Sequence, residues 1–352
     1  MTRTRPPFSV TSTVAPSVWR SLAASDPAAV LSQSLEWADC VRSDGRYDDV
    51  SRLYQFDDGD RILVPLARRR GLPRCCASIG SWPGVWGVGG PLIENGRMHE
   101  ENATAVLDDL AEQRALTLRI QMRDGEGAAW LRSRRYRATP YSSAVIDLDG
   151  GFKTVWQQRF TSGARRSVLR AERSRLEVRS DNGGALLPPF NYLFEQSIRR
   201  WSAQQREPLV LTRWRTRRQT AESMLEIISH RFGERFKIWI ASVDGRPAAS
   251  IIVIGSGAYA KYWRGAMDKD LAAPVRANEL LHRLAIEEAC DLGYRYYEMG
   301  ESRDGSPLEQ FKRKLGAETR RGYTLRSERV PLSKLNTATR TLVKRAIGFV
   351  DS

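Results

Sequence analysis

Residues 237–254 read KIWIASVDGRPAASIIVI, two apolar runs on either side of an Asp244-Gly245 pair. Asp-Gly between runs of strand-forming residues is a strong short-range hairpin signal, so the stretch is expected to be strand, tight turn, strand. Downstream, Ala258–Arg264 supplies a third strand, Asn278–Leu292 a helix that Gly293 ends, and Tyr294–Met299 a fourth strand. Pro307–Leu315 then reads as a short helix and Arg321–Leu325 as a last strand, which gives the order β-β-β-α-β-α-β. Upstream, Val50–Ala67 repeats the layout with a strand, the acidic turn Asp57-Asp58-Gly59 and the strand Ile62-Leu63-Val64-Pro65-Leu66. The run SWPGVWGVGGP (Ser81–Pro91), a helix near Asn102–Arg114 and a strand Leu116–Gln121 follow it. The repetition predicts a duplicated domain.

A chain of 352 residues suits two cores, and 41% hydrophobic content is too high for general disorder. Asp147–Gly151 reads as a linker and sets the expected domains at 1–150 and 151–330, with 331–352 as a tail. In that tail Leu335, Leu342, Val343, Ile347 and Val350 lie among Lys334, Arg340, Lys344 and Arg345. This is the pattern of a basic amphipathic helix, which packs on its own domain or makes peripheral membrane contact through 332–350. No apolar stretch approaches the roughly 20 residues of a membrane span, and Met1–Val10 lacks a secretory apolar core, so a cytoplasmic location is expected. Cys40, Cys75, Cys76, Cys290 and the histidines His99, His230 and His282 show no metal-ligand spacing, so neither a metal nor a disulfide framework is expected.

The formal charge is +15, and arginine dominates the basic residues, which points to an anionic partner. Between Gly151 and Ser180 eight basic residues face only Glu172 and Glu177. Arg166, Arg170 and Arg173 recur at helical spacing there, so they share a face that either follows a phosphodiester backbone or is simply solvated. Arg213, Arg215, Arg217 and Arg218 surround Trp214 in what is expected to be a loop, where an aromatic among arginines can stack on a base.

The β-β-β-α-β-α-β order resembles the carboxyl portion of the Gcn5-related N-acetyltransferase (GNAT) fold, in which the strands on either side of the long helix splay apart as a reaction cleft. Several pieces in turn resemble the Fem-type family. They are Ser34-Leu35-Glu36-Trp37, SWPGVWGVGGP, the helix ARRSVLRAERSRLEV (164–178), the Tyr192–Trp201 helix ending in Arg200-Trp201, and GES…FKRKLGAE between Gly300 and Glu318. Together they cover most of residues 30–325. The family includes enzymes that attach amino acids from aminoacyl-tRNA to peptidoglycan precursors, and a broader set of acyltransferases. The resemblance implies an α/β (α+β) fold of two tandem GNAT-like domains, each a mixed twisted sheet flanked by helices, with the chemistry in the second.

The same resemblance places Phe311 and Lys312 at the transfer site and Arg200, with Trp201, against the acceptor. An ammonium at Lys312 suits the negative charge that develops on a carbonyl oxygen when an amine attacks it, and a guanidinium suits a diphosphate or carboxylate. Tyr262 and Glu298 fall near the expected cleft. Tyr262 is either a proton-shuttling or substrate-bonding hydroxyl or a core ring with a polar tip, and Glu298, where the family often has Asp, is a candidate to act as base or to orient the acceptor amine. No Gly-x-Ser-x-Gly turn supports a nucleophilic triad, so direct attack by the acceptor amine is expected.

No tightly bound cofactor is expected. The stretch DKDLAAPVRAN (Asp268–Asn278), which would enter the long helix at a CoA pyrophosphate, contains no glycine. With the basic helix, this favours aminoacyl-tRNA as the donor over acyl-CoA, and tRNA as a partner. Two other readings stay open: an acyl-CoA-dependent N-acyltransferase acting on polysaccharide, lipid or natural-product amines, and a non-catalytic RNA-binding protein on this scaffold.

Overall fold

The structure, a computed structural model, describes residues 6–83, 86–87, 89–123, 128–219, 222–330 and 349. They fall into two units, residues 6–142 with 320–330, and residues 143–319. The first unit is therefore discontinuous: the chain leaves it before Gly150 and returns for its last strand. The amphipathic helix expected over 332–350 lies outside the described residues.

The first unit contains β1 (Phe8–Thr11), α1 (Pro16–Ser25), α2 (Leu35–Ser43), β2 (Tyr47–Asp49), β3 (Arg52–Phe56), β4 (Arg61–Val64), β5 (Ala67–Arg69), β6 (Ser78–Gly80), β7 (Leu92–Ile93), α3 (Glu100–Glu112) and β8 (Thr117–Met122). β9 (Arg137–Asp147) carries the chain into the second unit. There follow α4 (Gly151–Thr154), α5 (Ser162–Glu172), β10 (Leu176–Asp181), α6 (Leu187–Gln205), α7 (Leu209–Gln219), α8 (Glu222–Phe232), β11 (Phe236–Val243), β12 (Arg246–Ser256), β13 (Tyr259–Met267), α9 (Lys269–Val275), α10 (Ala277–Asp291), β14 (Tyr296–Glu301) and α11 (Pro307–Lys314). β15 (Glu318–Glu328) returns to the first unit and pairs with β8 from Tyr323↔Met122 to Glu328↔Thr117.

The first unit pairs β1-β3-β4-β7 in one sheet and β15-β8-β6-β5-β2 in another ladder. The hairpin expected over Val50–Ala67 forms between β3 and β4, Arg52 opposite Val64. Trp82 and Trp86 of the SWPGVWGVGGP run are buried, and the Trp37 indole of α2 donates to the Trp86 carbonyl at 2.7 Å. Beneath α3 a core gathers Val106, Leu107 and Leu110 with Leu118 and Ile120 of β8.

In the second unit the ladder runs β10-β11-β12-β13-β14-β9. The β11–β12 hairpin closes Val243 against Arg246, with Asp244 (φ 48°) and Gly245 (φ 74°) both left-handed, as a two-residue hairpin turn requires. β12 is buried from Ala248 to Ile254, the mark of a strand covered on both faces. Ala249, Ile251 and Val253 join the core that α5 and α10 supply through Val168, Leu281, Ala285 and Ile286, while α6 also packs on β12 and β13.

Two expectations are corrected. The helix expected over 164–178 ends at Glu172, and Leu176–Asp181 is the edge strand β10, because its alternating Leu176 and Val178 pack on the core. The arginine-rich stretch around Trp214 is not a loop but the helix α7. Fully buried Thr212 anchors it by a 2.8 Å bond to Glu207, Arg213 bonds Glu195 of α6 at 2.7 Å, and Arg215 bonds Glu207 at 2.8 Å.

Gly316, just past α11, has φ +89°, and a Cβ there would stand 2.6 Å from the Arg159 Cβ and 2.9 Å from its carbonyl carbon. The substitution Gly316→Ala should lower stability by about 1–3 kcal/mol, read as a lower urea midpoint at unchanged slope.

Candidate active site

β13 and β14 run parallel and pair at only three registers: Tyr259↔Tyr296, Ala260↔Tyr297 and Lys261↔Glu298. Beyond Lys261 and Glu298 the two strands part, β14 bulges against β9 between Glu298 and Gly300, and the expected splay is present. The last paired residues carry the charge. Lys261 Nζ donates to Glu298 Oε1 at 2.5 Å, with both side chains about nine-tenths buried. The other carboxylate oxygen, Oε2, is buried with no hydrogen-bond partner among the described residues.

Lys312 is not the solvated helix residue that its neighbours Arg313 and Lys314 suggest. It lies 1% exposed on the inner face of α11 and donates from Nζ to the carbonyls of Gly300 and Glu301, each at 2.9 Å. Consecutive carbonyls in a regular strand point to opposite sides; here they converge on one ammonium where β14, still paired with β9, has parted from β13. Burial, and next the charge of Lys261, lower its pKa to about 8, against the pull of Glu298 and Glu301. The hydroxyl of Ser306 caps α11 by accepting from Glu309 N, and Thr161 N donates to the Lys314 carbonyl at 3.0 Å.

On the α10 side of the fork stands an aromatic group. His282 of α10 lies with its Nδ1 3.0 Å from the Tyr297 hydroxyl and packs edge-on against the rings of Tyr262 and Phe311, at 4.7 and 5.5 Å between centroids. Burial, with the nearby Lys312 charge, pushes His282 down to about 3, so the imidazole is neutral at any physiological pH. Burial pushes Tyr262 up to about 12, against the opposing effect of Arg264. A Cβ on Gly265 would fall 2.2 Å from the Tyr262 hydroxyl oxygen, so glycine leaves the space which that phenol uses.

The structure thus brings Lys312, Phe311, Glu298 and Tyr262 around one fork, with Tyr262 and Phe311 in its aromatic group and Glu298 in its charged pair. The other candidates lie elsewhere in the unit. Arg200 Nη1 donates to the Met267 carbonyl at 2.8 Å, and Ser197 bonds both polar backbone groups of Met267, so this part of α6 fastens the end of β13. Trp201 packs edge-on against Phe194. Arg166 and Arg170 are exposed on α5, and Trp214 is exposed on α7. Lys261 and His282 were missed. The signal for Lys261 was a lone lysine inside the apolar strand YAKYW, an arrangement that demands a buried counter-ion; His282 had no sequence signal beyond its place in an apolar helix.

Among the described residues of the first unit, Asp58, Asp60 and His99 approach one another closely enough to share an ion. The Asn102 amide already donates to both carboxylates at 2.8 Å, and the His99 ring lies 3.1 Å from each.

The Acetyltransferase (GNAT) domain family matches residues 157–313. Among solved structures, the chain is similar to FemX, at 12% identity over 90% of this chain and 96% of that one, with a TM-score of 0.61. It is also similar to a tandem GNAT protein from the clavulanic acid biosynthesis pathway, at 14% identity over 92% and 98%, with a TM-score of 0.54. No curated protein sequence matches it. The second unit therefore carries a GNAT acyltransferase domain, and the chain has the mixed α/β fold of Fem-type and tandem GNAT proteins.

Because Lys261 and Glu298 are buried together, truncating one leaves the other uncompensated. Either Lys261→Met or Glu298→Leu should cost about 3–5 kcal/mol in urea unfolding, and the two together should cost less than their sum.

Proposed function

We propose that this GNAT-type acyltransferase moves an aminoacyl group from aminoacyl-tRNA to an amine of a cell-envelope precursor or small molecule, by direct attack of the amine. The observation that carries the reading is the buried set at the β13–β14 fork: a carboxylate with one unpartnered oxygen beside two ammonium groups. Aminolysis of an ester needs a base for the proton of the attacking nitrogen and positive charge where the carbonyl oxygen becomes anionic. Glu298 Oε2 takes the amine proton as the C–N bond forms. Lys312, near neutral basicity, steadies the oxyanion and gives a proton to the ribose oxygen as the C–O bond breaks. Passing the proton from Glu298 to Lys312 restores both groups.

The donor is argued from two surfaces. Arg166, Arg170 and Arg173 share an exposed face of α5 and its C-terminal cap, which suits a phosphodiester chain. At the start of α10, where a CoA pyrophosphate would meet backbone N–H groups, the chain spends Asp268–Val275 on the capped helix α9, holds Arg276 left-handed, and puts Glu279 in the first turn. A carboxylate there opposes a pyrophosphate. The peptidoglycan-precursor acceptor rests on the Fem-type resemblance. The runner-up is the acyl-CoA-dependent enzyme, supported by the GNAT domain itself.

Binding of charged against uncharged tRNA at near-physiological salt, with acetyl-CoA titrated calorimetrically into the same sample, tests the donor. Selective binding of the charged form without heat from acetyl-CoA is expected; the reverse replaces tRNA by CoA. For the chemistry, Glu298→Gln keeps an acceptor for Lys261 but removes the base, and should lower the transfer rate about 10²–10⁴-fold. Since Lys312 is protonated below about pH 8 and neutral above it, the rate should rise with pH as the acceptor amine deprotonates. It should then fall above about pH 8 as Lys312 loses its proton, and Lys312→Arg should remove that alkaline limb, whatever the absolute rate.

A further inference from the structure

We propose that the outer face of α7 docks on an anionic phospholipid bilayer. The helix is bound from within by Thr212, which is fully buried, and by the pairs Arg213–Glu195 and Arg215–Glu207. Away from these anchors it turns apolar residues to solvent: Val210 is 75% exposed, Trp214 59% and Leu211 42%. At helical periodicity these three fall within an arc of about 100°, with Arg217 on one side of it and Arg215 on the other. The two arginine side chains remain 62% and 44% exposed while keeping acidic partners. Tyr192, half-exposed on α6, stands one turn before Glu195, the residue that holds Arg213.

The exposed arc of α7 joins two aliphatic residues and a tryptophan to guanidinium groups at its rim, side-chain chemistry suited to a bilayer interface. Val210 and Leu211 decide between partners. Aliphatic side chains add nothing to base stacking or phosphate contact, whereas they gain by leaving water for the acyl boundary, and tryptophan favours the same depth. The arginine rim selects anionic over zwitterionic headgroups. No described helix is long and apolar enough to cross a membrane, so the contact is one of lying on the surface. This inference is independent of the acyl donor and of the residues at the β13–β14 fork.

The full chain should sediment with vesicles of phosphatidylglycerol mixed into phosphatidylcholine at near-physiological salt, and far less with phosphatidylcholine alone. Trp214→Ser, and separately Val210→Ser with Leu211→Ser, should each lower partitioning by about tenfold or more with thermal unfolding unchanged, since these side chains are exposed. Equal binding by the variants and the parent would overturn the proposal. So would loss of vesicle binding in Arg166→Gln with Arg170→Gln but not in the α7 variants, which would move the contact to α5. A chain that ignores vesicles but loses single-stranded RNA affinity on Trp214→Ser would make α7 a nucleic-acid surface instead.

Discussion

Backbone carbonyls that leave a ladder inside a protein must find donors elsewhere, and the second unit meets that demand with one side chain. Where β14 parts from β13, the carbonyls of Gly300 and Glu301 both bond to Lys312 Nζ. The fork, the seating of α11 and the low basicity of the ammonium are consequences of the same contact. An ammonium that serves two carbonyls in the interior is desolvated by that position, and desolvation makes its proton easier to release.

The fork also separates two kinds of chemistry. Lys261 and Glu298 pair across it as neighbours in register, while Tyr262, His282, Tyr297 and Phe311 form an aromatic group against α10. Lys312 influences both: its charge lowers His282, and its own proton affinity answers to Lys261 and Glu298. A histidine held neutral keeps a third cation from accumulating beside the two ammonium groups.

Much of this was legible in the sequence, for physical reasons that differ by element. The Asp244-Gly245 hairpin was readable because a two-residue turn needs left-handed residues, and few residue types adopt that conformation. Phe311-Lys312 was singled out by the Fem-type resemblance, and Tyr262 and Glu298 by the order of the elements around the expected cleft. What failed was local. The 164–178 stretch has helical composition throughout, yet tertiary pairing of Leu176–Asp181 with β11 ends the helix at Glu172. The run around Trp214 reads as polar and unpatterned, because its helix is held by ion pairs rather than by an apolar stripe. Lys261 escaped notice because its partner lies 37 residues away in sequence.

The discontinuity of the first unit bears on how the chain is made. β8 has β6 on one side, but its other neighbour, β15, lies about 200 residues downstream, since Met122 pairs with Tyr323. During synthesis the intervening unit, residues 143–319, emerges in full before that partner does. Until then the free edge of β8 offers unpaired N–H and C=O groups to any passing strand. A nascent chain of this design spends the longest part of its translation with an open sheet edge, and the demand for protection by a chaperone should peak there rather than at the ribosome's first release of either hairpin.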